Sequence, residues 1–234
     1  LSNTDWQDAI LRTSISTDHN LSARANLYGK IPFRASIGYN NSQGLVKTSD
    51  YERLTYSLKL TPKFFDDHLS VNVAFKASKT SNVFADEGAV GSAIAFDPTQ
   101  PVYADNKYGG YYEWLQTDGK PIDLSTRNPL GLLYLRDNTS DVNRIIGNVQ
   151  LDYKLHFLPD LHVMVNVGID NASGSGDDII DSVSATNYKT AGRVVHYEQK
   201  KKNTLADISL FYAKDIKSIN SKFDILVGHS YQDF

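Results

Sequence analysis

The stretch Leu161-His162-Val163-Met164-Val165-Asn166-Val167-Gly168-Ile169-Asp170 decides the fold. Its odd positions are all aliphatic, while its even positions hold His, Met, Asn, Gly and Asp. A period of two is that of a β-strand, whose successive side chains point to opposite faces. The segment before it reads the same way, with Gly147, Val149, Leu151, Tyr153 and Leu155 against Asn148, Gln150, Asp152 and Lys154, joined through the short turn His156-Phe157-Leu158-Pro159-Asp160. Working outward, apolar rows recur at Leu69, Val71, Val73, Phe75, Ala77 and at Leu54, Tyr56, Leu58, Leu60. They recur again at Phe33, Ala35, Ile37, Tyr39 and at Leu21, Ala23, Ala25, Leu27. Towards the end come Ala206, Ile208, Leu210, Tyr212 and then Phe223, Ile225, Val227, His229, Tyr231. The spacing predicts eight antiparallel strands of roughly ten residues, the length that crosses a bilayer when tilted. With 14 Tyr and 10 Phe against a single Met, the composition suits β-structure rather than a helical bundle.

No Asp, Glu, Lys or Arg falls on the greasy row of any of these strands, although charged residues make up 22% of the chain. The other row carries Arg24, Arg34, Arg53, Lys59, Lys76, Asp152, Lys154, Asp170, Asp207, Lys222 and Asp224. Alternation alone leaves open which row faces inward. A soluble all-β ligand-binding module would bury the greasy row, and a small stand-alone outer-membrane barrel would turn it to lipid. Two features favour the membrane. Connections alternate short and long, as they do when one rim has tight turns and the other large loops. Aromatics also gather beside the short turns, at Tyr28, Phe33, Phe64, Phe65, Phe157, Tyr212 and Phe223, as an interfacial girdle would.

If short turns are periplasmic and long loops extracellular, both chain ends fall on the extracellular side. A complete barrel normally starts and finishes in the periplasm. The expectation is therefore an all-β, up-and-down transmembrane β-barrel segment, with residues 1–234 forming part of a larger barrel domain. Residues 1–18 would be the remnant of an extracellular loop, 80–142 a large extracellular loop, and 171–202 a second long one with irregular structure. Phe234 reads as an ordinary strand-end aromatic.

Several short pieces, taken in order, resemble the SusC/RagA-type TonB-linked outer-membrane proteins. They include Thr4-Asp5-Trp6-Gln7-Asp8, Arg34-Ala35-Ser36-Ile37-Gly38-Tyr39, Asp50-Tyr51-Glu52-Arg53 and Phe65-Asp66-Asp67-His68-Leu69. Phe96-Asp97-Pro98-Thr99-Gln100-Pro101, Arg127-Asn128-Pro129, His156-Phe157-Leu158-Pro159-Asp160-Leu161 and Tyr231-Gln232-Asp233-Phe234 continue the series. The resemblance implies a 22-stranded barrel in the outer membrane of a Gram-negative bacterium. It further implies uptake of glycans or peptides, a SusD-like surface lipoprotein as partner, and contact with TonB through an N-terminal part that this chain lacks.

The chemistry points away from an enzyme. With no Cys there is neither a thiolate nucleophile nor a thiolate metal site, and the six His are scattered without a His-x-x-x-His pair. His68 beside Asp66 and Asp67 has no Gly-x-Ser-x-Gly elbow. A net charge of -3 argues against nucleic acid. No cofactor is expected. Asp177, Asp178 and Asp181 are weak calcium candidates, because carboxylate oxygens suit a hard cation. The large loop carries Tyr103, Tyr108, Tyr111, Tyr112 and Trp114 around Gly109-Gly110. Aromatic faces stack on sugar rings or grip peptides, so these five are the candidates for contact with ligand or lipoprotein. Packing of the loop on itself is the competing account of each ring. A short helix is predicted at 89–96.

Overall fold

The computed structural model describes residues 2–29 and 31–234. A short helix α1 (Trp6–Ile10) precedes β1 (Ser16–Leu27), β2 (Ile31–Gln43), β3 (Asp50–Leu60), the two-residue β4 (Lys63–Phe64) and β5 (Leu69–Val83). Helices α2 (Gly88–Ala95) and α3 (Pro129–Tyr134) lie in the large loop. Then follow β6 (Arg136–Leu155), β7 (Leu158–Ile180), β8 (Arg193–Ile216) and β9 (Ser221–Asp233). All strands belong to one antiparallel sheet in the order β1-β2-β3-β5-β6-β7-β8-β9, with β4 paired to β5. Strands β1 and β9 do not pair among the described residues, so the sheet is open at both edges.

Register puts the whole apolar set on one face. Ala25, Phe33, Leu60, Val73, Val149, Val167, Ala206 and Tyr231 form one cross-strand row through all eight long strands. The next row, on the opposite face, runs Arg24, Arg34, Lys59, Ala74, Asn148, Gly168, Leu205, Gln232. A slip of one residue in any strand would invert its faces, so the shared pattern fixes the register. The apolar face is bare, with Leu21 73%, Ile208 54% and Val227 63% exposed. Concavities open on the polar face, one lined by Arg53, Thr55, Ser57 and Lys76 and another by Gln150, Asn166 and Asp207. This excludes the soluble module with a greasy interior. The architecture is an antiparallel segment of a transmembrane β-barrel wall.

The short connections obey backbone sterics. Tyr28 and Gly29 both take positive φ in the β1–β2 turn, as a hairpin turn matched to strand twist requires. Phe65, Asp66 and Asp67 sit in the left-handed region before β5, and His156-Phe157 alone join β6 to β7.

Residues 171–202 depart from expectation. They are mostly strand: β7 continues to Ile180 and β8 starts at Arg193, leaving only 181–192 outside strands. The large loop shrinks in the same way to 84–135, because β5 and β6 stay paired as far as Val83 and Thr139. The reason is solvent. A bilayer needs about 9–11 residues per tilted strand. The 24 residues of β8 are more than twice that yet pair throughout. Beyond the apolar band both faces of the ribbon are wet, so Asn171-Ala172-Ser173-Gly174-Ser175-Gly176 has no greasy row to reveal a strand.

Candidate functional site

Among the described residues, the buried hydrophobic cluster lies off the sheet, at the rim carrying the long loops. Trp6, Ile10, Ala89, Ala93, Phe96, Leu130 and Leu133 pack together, with Tyr111, Tyr112 and Trp114 against them. Local chemistry explains how such dispersed segments meet. Asp5 caps α1 by accepting from the amides of Gln7 and Asp8. The indole Nε1 of Trp6 donates to the Asp97 carbonyl at 3.0 Å, and its ring meets Phe96 edge-on at 4.6 Å. Thr4 Oγ1 donates to the Gln100 carbonyl at 2.7 Å. Asp97 accepts from the amide and hydroxyl of Thr99, which hold its carboxyl below the usual carboxylate range. The pieces Thr4-Asp5-Trp6 and Phe96-Asp97-Pro98-Thr99-Gln100 are thus two halves of one joint.

Asn128 is the hub of this cap. Its side chain is fully buried. Oδ1 accepts from the amides of Leu130 and Gly131 and so caps α3, while Nδ2 donates to the carbonyls of Val102 at 2.9 Å and Tyr112 at 3.2 Å. The Asn128 amide donates to Glu113 Oε1 at 3.1 Å. Glu113 is buried, its Oε2 has no hydrogen-bond partner, and Arg127 Nη1 stands 3.8 Å away. Burial pushes the Glu113 carboxyl up to about 7, against the opposing pull of the Asn128 amide and Arg127.

Ion pairs fix the cap to the wall. Arg136, at the start of β6, reaches Asp86 at 2.9 Å and Asp178 at 2.7 Å, and Arg193 holds Asp178 from the other side. These two guanidinium groups, Arg136 foremost, keep the Asp178 carboxyl below the usual range. Arg12 bridges to Asp50 at 2.8 Å. Lys189 and the Tyr188 hydroxyl both reach Asp123, joining the 181–192 loop to the large loop.

The predicted aromatics divide into two groups. Tyr108 is buried, with its hydroxyl donating to the Gly119 carbonyl and its ring edge-on to Tyr188. Tyr112 and Trp114 meet at 5.4 Å and both pack near Phe96. These three rings pack within the loops. Tyr103 is 66% exposed and lies against Tyr111 at 5.5 Å. Tyr134, which sequence reasoning passed over, is 53% exposed and close enough that its ionisation and that of Tyr103 add to the upward shift that burial gives Tyr111. An open patch of tyrosine therefore survives. Its third member follows Leu133 at the end of α3, where no local signal distinguishes it.

The calcium candidates are not brought together. Asp177 bonds His196, Asp178 is taken by the two arginines, and Asp181 turns back on the Val183 amide. Among the described residues no group of three or more His, Cys, Asp or Glu is placed to hold a metal.

No family model matches the chain. The TonB-dependent receptor SusC of Bacteroides thetaiotaomicron is 39% identical over 252 residues, covering 99% of this chain and 24% of that protein. The TonB-dependent receptor P26 of Formosa agariphila is 28% identical over 64% of this chain and 14% of its own length. Among solved structures, the RagAB peptide importer superposes in its "closed-closed" state with a TM-score of 0.70 at 15% identity, covering 98% of this chain and 25% of that one. Its "open-open" state gives 0.69 at 16% identity. The chain spans about a quarter of the length of SusC. An eight-strand wall with one bare apolar face and one polar concave face, matched over its whole length by SusC, belongs to the SusC/RagA-type TonB-dependent receptors, β-barrel proteins of the Gram-negative outer membrane.

Proposed function

We propose that this chain forms part of the wall and two outer loops of an importer that carries glycans or peptides across the outer membrane. The observation behind this reading is the unbroken apolar row from Ala25 to Tyr231, backed by a charged, roomy polar face. Lipid meets the first face and an aqueous passage the second. The short-turn rim then lies in the periplasm and the cap outside. SusC is a TonB-dependent receptor and RagAB a peptide importer, so TonB is a partner expected of the whole protein, and the SusC/RagA resemblance adds a SusD-like lipoprotein.

Within the cap, Tyr103, Tyr111 and Tyr134 contact cargo or the lipoprotein, and Tyr108, Tyr112 and Trp114 hold the loop that presents them. The test is genetic. A strain lacking the full-length receptor should fail to grow on one glycan or peptide source and regain growth with the wild-type gene. A Y103A/Y134A receptor should restore it less well while reaching the membrane at normal levels. Undiminished growth of the deletion strain on every such source refutes import.

A further inference from the structure

On the lipid-facing side, the apolar band ends in lysine towards the cap. Leu54, Lys79, Asn143, Ser173 and Lys200 form one cross-strand row of that face, and Tyr56, Ala77, Ile145, Asn171 and Lys202 form the row beneath it. Phe75, Gly147 and Ile169 continue downward without a polar group. Lys79 stands ten residues along β5 from Leu69, and Lys202 ten residues along β8 from Tyr212. Ten residues rise about 34 Å, which is about 26 Å of height at a tilt of about 40°. The apolar band of an outer-membrane barrel is about 25 Å tall. The lysines therefore sit at its outer border, level with the lipid headgroups.

Their setting is independent of the lumen and of whatever fills it, because they project from the outer skin of the wall. Both strands flanking Lys79, β3 and β6, are in place. Lys79, Lys200 and Lys202 are exposed, and among the described residues no carboxylate lies within 4.0 Å of them. The nearest acids by register are Glu52, Asp141 and Glu198, one row further from the membrane, and Asp233, opposite Thr204 below Lys202. Asp141 accepts from the Ser81 hydroxyl, and Glu198 lies 3.7 Å from His196. The periplasmic border differs, since the outward lysine of β8 there, Lys214, has Asp160 at 4.0 Å. Lys79 and Lys200 are three strand spacings apart, about 14 Å. Exposed Asn143, Ser173 and Asn171 fill the interval. Cations separated by hydrogen-bonding groups, directly above aliphatic surface, complement a molecule with an anionic sugar head and acyl tails.

We infer that this patch binds an outer-leaflet lipid by its head, an acylated disaccharide bearing phosphate. The site goes beyond import and rests only on the cap lying outside. The test uses the full-length receptor with its lipoprotein in detergent, titrated with diphosphoryl lipid A, with dephosphorylated lipid A and with inorganic phosphate. Diphosphoryl lipid A should bind most tightly, and inorganic phosphate at equal concentration should not displace it. K79Q/K200Q/K202Q should weaken diphosphoryl lipid A about tenfold or more and leave the dephosphorylated lipid unchanged. K79R/K200R/K202R should keep wild-type affinity, as should K214Q at the other border. Equal binding of the two lipids, wild-type affinity in the glutamine variant, or an equal loss in the arginine variant overturns the site. Displacement by inorganic phosphate also overturns it, by marking a site for free anions. So does a receptor dimer that the glutamine variant splits, which would assign the patch to a second copy of the chain. Cleavage of the 97–135 loop by protease added to intact cells checks the orientation on its own, and growth checks import, so failure of the lipid site is distinguishable from failure of either.

Discussion

Replacing Asn128 with Ala should unlock the outer cap while leaving the wall intact. The side chain makes four hydrogen bonds, two accepted from α3 amides and two donated to the carbonyls of Val102 and Tyr112. Loss of the N-cap costs about 1 kcal/mol. Leaving two half-buried carbonyls without partners costs about 1–3 kcal/mol each. The sum, about 3–7 kcal/mol, is enough to raise local opening of a cap held by a small buried cluster. Hydrogen exchange of the full-length receptor in detergent reads this directly. Amides in 97–135 should exchange at least a hundredfold faster in N128A, with β6 and β7 unchanged below the rim. Asn128→Asp is the informative companion: it keeps the acceptor for α3 but loses both donors, and it sets a second carboxylate beside Glu113. Its α3 amides should stay better protected than in N128A while the 102–112 segment loosens as much. Wild-type exchange in N128A would show that Asn128 is not the hub.

Glu113 gives the cap a pH dependence. Its folded pKa, about 7, lies above the ordinary carboxyl value, so the neutral form is the one that fits. The cap should be firmest below about pH 4.5 and loosen as pH rises through 7, by roughly 3 kcal/mol in all, and E113Q should abolish the trend in protease resistance of the 97–135 loop. Val149→Lys, on the apolar row, should cost about 2–4 kcal/mol of membrane stability, whereas Asn148→Lys on the next row should cost almost nothing by urea unfolding in lipid vesicles. Asp178→Ala removes the group shared by Arg136 and Arg193, and should speed exchange at the tip of the β7–β8 ribbon with little effect on β1–β3.

The wall was legible because lipid imposes a rule on every second residue, and Leu161 to Asp170 obeys it without exception. The predicted helix at 89–96 corresponds to α2. Helices α1 and α3 were missed. With 5 and 6 residues they are too short to show a periodic face, and their side-chain caps together with tertiary packing hold them. The sequence of the ribbon at 171–202 looks irregular because water on both faces removes the alternation, although the ladder of backbone bonds continues. The aromatic cluster was visible, but its division was not. Whether Tyr108 or Tyr103 turns inward depends on Gly119, Tyr188 and Tyr111, which are neighbours only in space. Asn128 appeared within Arg127-Asn128-Pro129, yet nothing in the local sequence reveals that its amide nitrogen spans two distant carbonyls.

The length of β7 and β8 has a mechanical side. A hairpin paired along its full run resists bending as a beam does, and this one stands well clear of the bilayer before its tip meets the large loop at Asp123. A small rocking of the beam where it leaves the lipid would arrive at that junction magnified by the lever arm. The contacts of Lys189 and Tyr188 with Asp123 are the place where such a rocking would reach the cap.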